Sequence, residues 1–100
     1  QFEPGIVITD EPGIYIEGSH GVRLENELLV KEWKKNEYGE FLCFETITYV
    51  PMDLDGIKAD MMSEEEKRLL NDYHALVYEK IAPHLNEEER EWLKKYTRAI

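Results

Sequence analysis

Residues 9–26 read TDEPGIYIEGSHGVRLEN and contain two acidic residues equally far from Gly18. Gly18 lies inside the strongest turn signal of the region, residues 17–21, so a chain that folds back there sets Glu11 opposite Glu25. Directly opposite residues on paired strands have Cβ atoms about 4.5–5.5 Å apart. Two such carboxylates repel each other, and a divalent cation offsets the repulsion because hard cations prefer carboxylate oxygens. The alternative from spacing alone is two solvated acids among the 22 in this chain.

The first half of the chain has the pattern of β-structure. β-branched and aromatic residues are frequent in residues 5–52, with turn residues between the runs. The runs predict strands over residues 6–9, 14–16, 22–30 and 41–50, with a polar hairpin tip over residues 34–39. Pro51 ends the last strand, because proline has no N–H to donate to a ladder. We expect these strands to form a three-stranded sheet.

The second half of the chain changes to a helical period. An acidic connector over residues 53–62 precedes Ser63, which has a glutamate three residues later and so forms a capping-box pattern. Apolar residues then recur at helical spacing as far as Ile81, and Pro83 stops the run. Asn86 begins a second pattern of the same kind. The predicted fold class is therefore α+β, with antiparallel strands followed by two C-terminal α-helices.

Composition narrows the possible partners and compartment. The chain has 100 residues and a net charge of −10, which disfavours both nucleic acid and an anionic membrane surface. Its apolar runs are far shorter than the ~20 residues that span a bilayer. Cys43 is the single cysteine, so no internal disulfide forms, and a reducing, cytoplasmic compartment is the simpler interpretation. The chain opens on the Pro4–Gly5 turn without a methionine, so we expect a fragment of a longer protein.

Two of these segments resemble the motifs of a known family. Residues 9–15 (TDEPGIY) and 21–26 (GVRLEN) resemble the last two metal-ligand motifs of the pita-bread metallopeptidases, and within that group the Xaa-Pro aminopeptidases. The resemblance continues through residues 44–51 into residues 70–74 and 92–94, which look like the C-terminal helices of the long, three-domain form. It covers essentially the whole chain. Two linked motifs with the family's spacing are more specific than either motif alone.

The resemblance implies the C-terminal portion of a pita-bread fold. Residues 1–52 are then the last strands of the catalytic domain, and residues 53–100 are the acidic connector and a helical extension. It also implies two divalent metal ions, usually manganese, held by two Asp, one His and two Glu. At the matching positions Glu11 ligates one metal and helps to move the proton of the attacking water, and Glu25 bridges both metals. The implied substrate is a peptide with proline in second position, and the implied full-length enzyme is a cytoplasmic homodimer.

The chain also departs from the family pattern. The family's two Asp ligands and its His ligand lie upstream of the Pro-Gly turn at which this chain begins. The aspartates and histidines that are present do not stand in ligand positions: Asp53, Asp55, Asp60, His20, His74 and His84. Two of five ligands hold two metals poorly, so we expect the 100-residue chain alone to be inactive. A non-catalytic binding or scaffold protein and a prolidase that cleaves Xaa-Pro dipeptides stay open as alternatives.

Three residues near the carboxylates are further candidates. Arg23 lies two residues before Glu25, so the pleat points both side chains to one face. We interpret Arg23 as a catalytic residue that orients Glu25 or the substrate, with an ordinary ion pair as the alternative. Tyr15 and His20 are weaker candidates for substrate binding. The alternative for Tyr15 is packing in the core, and the alternative for His20 is a position in a solvated loop. Glu45 is interpreted as a supporting or edge acid rather than as a metal ligand.

Two other residues are expected to be structural. Cys43 has no histidine nearby in sequence, which favours a buried, inert thiol over a nucleophile. His74 falls at helical spacing among apolar residues, which favours a core or rim histidine with its hydrogen bonds satisfied.

Overall fold

A computed structural model describes all 100 residues, and their contacts form two compact units. Unit 1 covers residues 1–48, and unit 2 covers residues 49–100. The strands of unit 1 are β1 (Val7–Asp10), β2 (Gly13–Ile16), β3 (His20–Arg23), β4 (Asn26–Asn36) and β5 (Gly39–Thr46). The helices of unit 2 are α1 (Glu64–Ile81) and α2 (Glu87–Tyr96), with single 3₁₀ turns at Leu54–Gly56, Ala59–Met61 and Ala82–His84.

The first four strands of unit 1 pair antiparallel about one centre. β1 pairs with β4 and β2 pairs with β3, with Val7 opposite Leu29 and Gly13 opposite Arg23. Both ladders have the same register, in which paired residues are equally far from Gly18, so the predicted symmetric folding is confirmed. Gly18 has a φ of +68°, in the left-handed region that glycine adopts without a steric penalty from a Cβ.

The prediction of one continuous strand over residues 22–30 is wrong. The segment forms β3 and the start of β4, separated by Leu24 and Glu25. Pro12 lies across from Leu24 and has no N–H, so the ladder loses a hydrogen bond there. The Leu24 N–H still donates to the Pro12 carbonyl at 3.1 Å, which keeps the register across the break. Unit 1 therefore has a three-stranded sheet in the order β1-β4-β5 and a separate two-stranded sheet of β2 and β3.

The last strand ends earlier than predicted. β5 stops at Thr46 rather than at Val50. The Ile47 N–H still donates to the Glu27 carbonyl at 3.0 Å, but the Glu27 N–H donates to the Thr48 side-chain Oγ1 at 2.8 Å. A side-chain acceptor thus replaces the next backbone acceptor, and the ladder does not continue.

The apolar residues of unit 1 are mostly exposed. Val30, in the central strand β4, is the one that is fully buried, at 1% exposure. A bulge interrupts the pairing of β4 with β5 at Trp33, so this side chain stands out of the ladder and is 65% exposed. One face of the β2–β3 hairpin is apolar and exposed, and it carries Ile14, Ile16, Val22 and Leu24.

Both predicted helices and both predicted caps of unit 2 are confirmed. Ser63 Oγ accepts the N–H of Glu66 at 3.3 Å, and the Glu66 carboxylate accepts the Ser63 N–H at 2.8 Å. Asn86 and Glu89 form the same reciprocal pair at the start of α2. Each cap satisfies N–H groups that have no partner inside the helix. A 3₁₀ turn that includes Pro83 follows α1, as expected from the inability of proline to continue a helix.

The core of unit 2 lies between its helices. Val77, Ala82 and Leu93 are buried there, and partly buried apolar residues pack against them: Tyr49, Tyr73, Tyr78, Ile81 and Leu85. His74 is fully buried as well, so its predicted core position is confirmed, but its Nδ1 has no partner in hydrogen-bond geometry, so the expectation of a fully satisfied ring is wrong. Neither helix is long and apolar enough to cross a membrane.

Candidate metal centre

The hairpin about Gly18 brings Glu11 and Glu25 across from each other. They occupy the break between the two ladders and are flanked by the pairs Asp10–Asn26 and Gly13–Arg23. Because successive side chains alternate between the faces of a strand, Glu11 and Glu25 share a face with Arg23 and Tyr15. Two carboxylates and a guanidinium therefore lie together on one face of unit 1.

Arg23 lies between the two carboxylates. Its Nε is 3.0 Å from Glu25 Oε2 and 3.9 Å from Glu11 Oε2. The other oxygen of Glu11, Oε1, accepts a hydrogen bond from the Thr9 hydroxyl at 3.0 Å. These side chains are between a third and a half exposed, so water screens their attraction and the pairs contribute little stability. These ion pairs instead orient the two carboxylates, because both are held toward the same guanidinium.

Tyr15 lies across the hairpin on the same face. A Cβ added to Gly21 would be 2.8 Å from Tyr15 Cδ1, and one added to Gly13 would be 2.7 Å from the Tyr15 hydroxyl oxygen. The ring therefore covers both glycines, and the hydroxyl reaches Arg23. The hydrogen bond and the charge interaction with Tyr15, followed by the charge of Glu25, raise the pKa of Arg23 above its ordinary value. Arg23 is permanently charged at this site.

The other candidates lie apart from this group. The alternation of side chains places His20 on the opposite face, with Ile14 and Val22, and its Nδ1 is 2.9 Å from the Ser19 hydroxyl. Glu45 pairs with Lys31 across the β4–β5 ladder, with 2.6 Å between Oε2 and Nζ. Cys43 is half-buried opposite Lys31, whereas the sequence predicted full burial.

The chemistry of the donors suits a divalent cation. Carboxylate oxygens are the ligands that hard cations such as magnesium and manganese prefer. The number of donors is smaller than a two-metal centre needs, because no group of three or more His, Cys, Asp or Glu in this structure could hold a metal ion. Glu11 and Glu25 therefore suit a divalent cation by their chemistry but could supply only part of the ligands of a two-metal centre.

Sequence reasoning missed the packing of Tyr15 on the two glycines and the hydrogen bond from Thr9 to Glu11. The sequence did contain a signal for the packing of Tyr15 on the glycines. In an antiparallel pair symmetric about Gly18, the residue opposite Tyr15 is Gly21 and the preceding residue on the same face is Gly13. Two glycines beside one aromatic residue indicate a side chain that lies flat on the backbone.

Sequence profiles place this chain in a class of metal-dependent peptidases. The profile described as the C-terminal region of peptidase_M24 matches residues 40–100, and the profile of metallopeptidase family M24 matches residues 1–32. The chain belongs to metallopeptidase family M24 and includes the C-terminal region of that family's domain.

Individual relatives are similar over nearly the whole chain. It is 41% identical over 101 residues to a probable Xaa-Pro aminopeptidase P of Coprinopsis cinerea, covering 96% of this chain. It is 40% identical over 102 residues to a probable Xaa-Pro aminopeptidase P of Ajellomyces capsulatus, covering 97% of this chain. In both cases the match spans 16% of the relative's own length.

A solved structure has the same fold. The X-prolyl aminopeptidase of Caenorhabditis elegans, a cytosolic enzyme with a di-nuclear active site, matches with a TM-score of 0.84 at 30% identity. The match covers 99% of this chain and 17% of that enzyme. The predicted resemblance and the predicted fold, the C-terminal portion of a pita-bread domain, are confirmed.

Proposed function

We propose that the full-length protein is a metal-dependent aminopeptidase that removes the first residue from peptides with proline in second position. The observation that carries the proposal is the pair Glu11 and Glu25, held across from each other with Arg23 between them. The similarity to Xaa-Pro aminopeptidases over nearly the whole chain supports the reaction type. Residues 1–52 belong, in this proposal, to the catalytic domain, and residues 53–100 form its connector and helical extension.

The proposed centre holds two divalent metal ions, with manganese as the proposed metal. Bound metals would lower the pKa of a water molecule to near neutrality and polarise the scissile carbonyl. Glu11 and Glu25 are the proposed metal ligands in this chain, and Glu11 would also help to move the proton of the attacking water. The hydrogen bond from Thr9 leaves Glu11 Oε2 as the oxygen that faces Arg23. The remaining ligands come from other parts of the full-length protein.

Arg23 and Tyr15 are proposed to act around the carboxylates. Arg23 holds Glu25 by its Nε and keeps a positive charge beside both acids, which orients them and balances their repulsion. Tyr15 covers the same face and presents its hydroxyl to Arg23. His20 stays a proposed substrate contact, at the end of the hairpin and on its other face. For the full-length enzyme we propose a cytoplasmic location. We also propose that it is a homodimer, which a measurement of its molecular mass in solution tests.

The deciding measurement is manganese-dependent hydrolysis of an Xaa-Pro-Xaa tripeptide by the full-length protein. We expect cleavage that a chelator abolishes and added manganese restores. Glu11→Gln and Glu25→Gln keep the side-chain shape but weaken metal ligation, so each is expected to lower kcat/KM more than about a hundredfold. Glu37→Gln, at the exposed tip of the β4–β5 hairpin, is the matched control and is expected to keep wild-type activity.

Other outcomes would point to the alternatives. Cleavage of an Xaa-Pro dipeptide but not of the tripeptide would assign a prolidase instead. No cleavage of either peptide by a folded, metal-loaded protein would contradict the proposal and favour a binding or scaffold role. Full activity in both Glu variants would refute the roles proposed for these two residues.

A further inference from the structure

His74 lies where separate segments of unit 2 meet. It belongs to α1 and is fully buried, at 0% exposure. Its Nε2 is 3.0 Å from the backbone nitrogen of Met52, which lies in the segment before the first 3₁₀ turn. Because a backbone N–H is a donor, Nε2 must be the unprotonated nitrogen and Nδ1 carries the proton. The observed contact thus requires the neutral imidazole.

Neighbouring residues of α1 hold the same segment and the end of the chain. The Tyr73 hydroxyl donates to the Val50 carbonyl at 2.7 Å. The Asn71 side chain makes two hydrogen bonds with the backbone of Ile100, at 3.1 Å and 2.9 Å. Of these three side chains, only that of His74 has an ordinary pKa between pH 5 and pH 8. Of the three side chains that hold these segments on α1, His74 is therefore the one whose protonation state can change at a pH near neutrality.

Protonation of the ring would break its contact with Met52 and would find no carboxylate to balance the charge. A proton on Nε2 would face the Met52 N–H, so two donors would meet and the hydrogen bond would be lost. Nδ1 is buried without a partner in hydrogen-bond geometry. The charged group that faces the ring is Arg98, whose guanidinium is 3.7 Å from Asp55, and the uncharged Tyr73 ring is 5.8 Å away. No carboxylate in these contacts reaches the ring to stabilise an imidazolium.

We propose that His74 is a pH-sensitive latch, whose neutral ring holds residues 50–52 on α1 and whose protonation releases them. Burial, which is the largest cause, lowers the pKa of His74 below its ordinary value of 6.5. The Arg98 backbone carbonyl acts in the opposite direction, and the Arg98 charge lowers the pKa further. A released histidine binds protons more readily than the buried one, so acid favours release. The attachment is complete above pH 6.5 and is lost as the pH falls from there through the lowered pKa.

Hydrogen exchange on the full-length protein tests the latch directly. Mass spectrometry between pH 7.5 and pH 5.5 would follow the amide protection of residues 50–53, corrected for the intrinsic rate, together with exchange at the His74 C2–H. The C2–H exchange reports the titration of His74 itself. We expect protection of residues 50–53 to fall about tenfold on acidification, which is the scale expected for the loss of one hydrogen bond. Protection of α2 is expected to stay constant.

Three variants separate the latch from a general acid effect. His74→Gln provides an amide oxygen that accepts the Met52 N–H and does not titrate, so protection should be high at every pH. His74→Phe removes the acceptor, so protection should be low at every pH. His84→Gln removes an exposed histidine of the same unit and should behave as the wild type.

Two results would overturn the proposal. One is a His74→Gln protein that keeps the pH dependence of the wild type. The other is a wild-type protein in which His74 titrates while residues 50–53 stay protected. The second comparison needs no variant, so the test remains decisive even if substitution at position 74 prevents folding.

Discussion

At the scale of single residues, Tyr15 explains two glycines that backbone conformation does not require. Neither Gly13 nor Gly21 has a positive φ, so another residue could adopt either backbone conformation. A side chain at either position would have to displace the ring of Tyr15, which lies within 3 Å of where each Cβ would be. The two glycines thus allow the Tyr15 hydroxyl to reach Arg23, the guanidinium that faces Glu11 and Glu25.

This packing predicts coupled effects of substitutions at positions 15 and 21. In the full-length enzyme, Tyr15→Phe removes the hydrogen bond to Arg23 and is expected to lower kcat/KM roughly three- to tenfold. Gly21→Ala displaces the ring and is expected to have an effect of similar size. In a Tyr15→Ala background Gly21→Ala should have little further effect, because the ring it would displace is absent. Strictly additive effects in this double-mutant cycle would contradict the packing argument.

At the scale of elements, each of the two helices begins with a hydrogen-bonded cap whose two partners are three residues apart in the sequence. The capping box of Ser63 and Glu66 satisfies donors at the start of α1, and Asn86 and Glu89 do the same for α2. The hydrogen bonds from the Ser63 N–H and hydroxyl lower the pKa of Glu66. The stabilisation is therefore present above the ordinary pKa of 4.5 and is lost as the pH falls through the lowered value.

Removing the first cap is expected to loosen the start of α1. Ser63→Ala deletes the acceptor for the Glu66 N–H, and loss of an N-cap costs about 1 kcal/mol. Amide exchange of residues 64–68 at neutral pH should therefore become roughly fivefold faster. Ser19→Ala, in the exposed turn of the β2–β3 hairpin, is the control and should leave this exchange unchanged. An unchanged rate in Ser63→Ala would show that packing alone holds the first turn.

At the scale of the whole molecule, this chain holds only part of the proposed metal centre. Unit 1 contributes two carboxylates on one face, and no group of three potential ligands forms anywhere in the structure. The relatives it matches are several times longer, since the match spans 16% of their length. A metal centre with too few ligands binds its ions weakly. The activity proposed here is therefore a property of the full-length protein.

This division predicts a difference between the 100-residue chain and the full-length protein. The 100-residue chain is expected to show no tripeptide cleavage with manganese and only weak manganese binding by calorimetry. The full-length protein is expected to bind manganese tightly and to cleave the tripeptide. Chelator-sensitive cleavage by the 100-residue chain alone would show that its own residues complete the centre.

Local patterns in the sequence determined the features that depend on near neighbours. The turn at Gly18 predicted the register that sets Glu11 across from Glu25, because strand pairing across a short turn follows from the turn's position. The pattern of a serine or asparagine with a glutamate three residues later predicted both helix starts for the same reason. The resemblance to the pita-bread metallopeptidases rested on residues 9–15 and 21–26, on either side of the turn at Gly18, and the comparisons confirmed the family.

Only the tertiary structure decided the features that depend on distant residues. The strand predicted over residues 22–30 is broken because Pro12, on the opposing strand, cannot donate a hydrogen bond. β5 ends early because the Thr48 side chain captures a backbone donor from β4. The periodicity around His74 indicated burial but not the partner, since Met52 meets its ring only after the chain has folded back on α1. The residues next to a position in the sequence do not predict such contacts, because the contacts depend on where the rest of the chain packs.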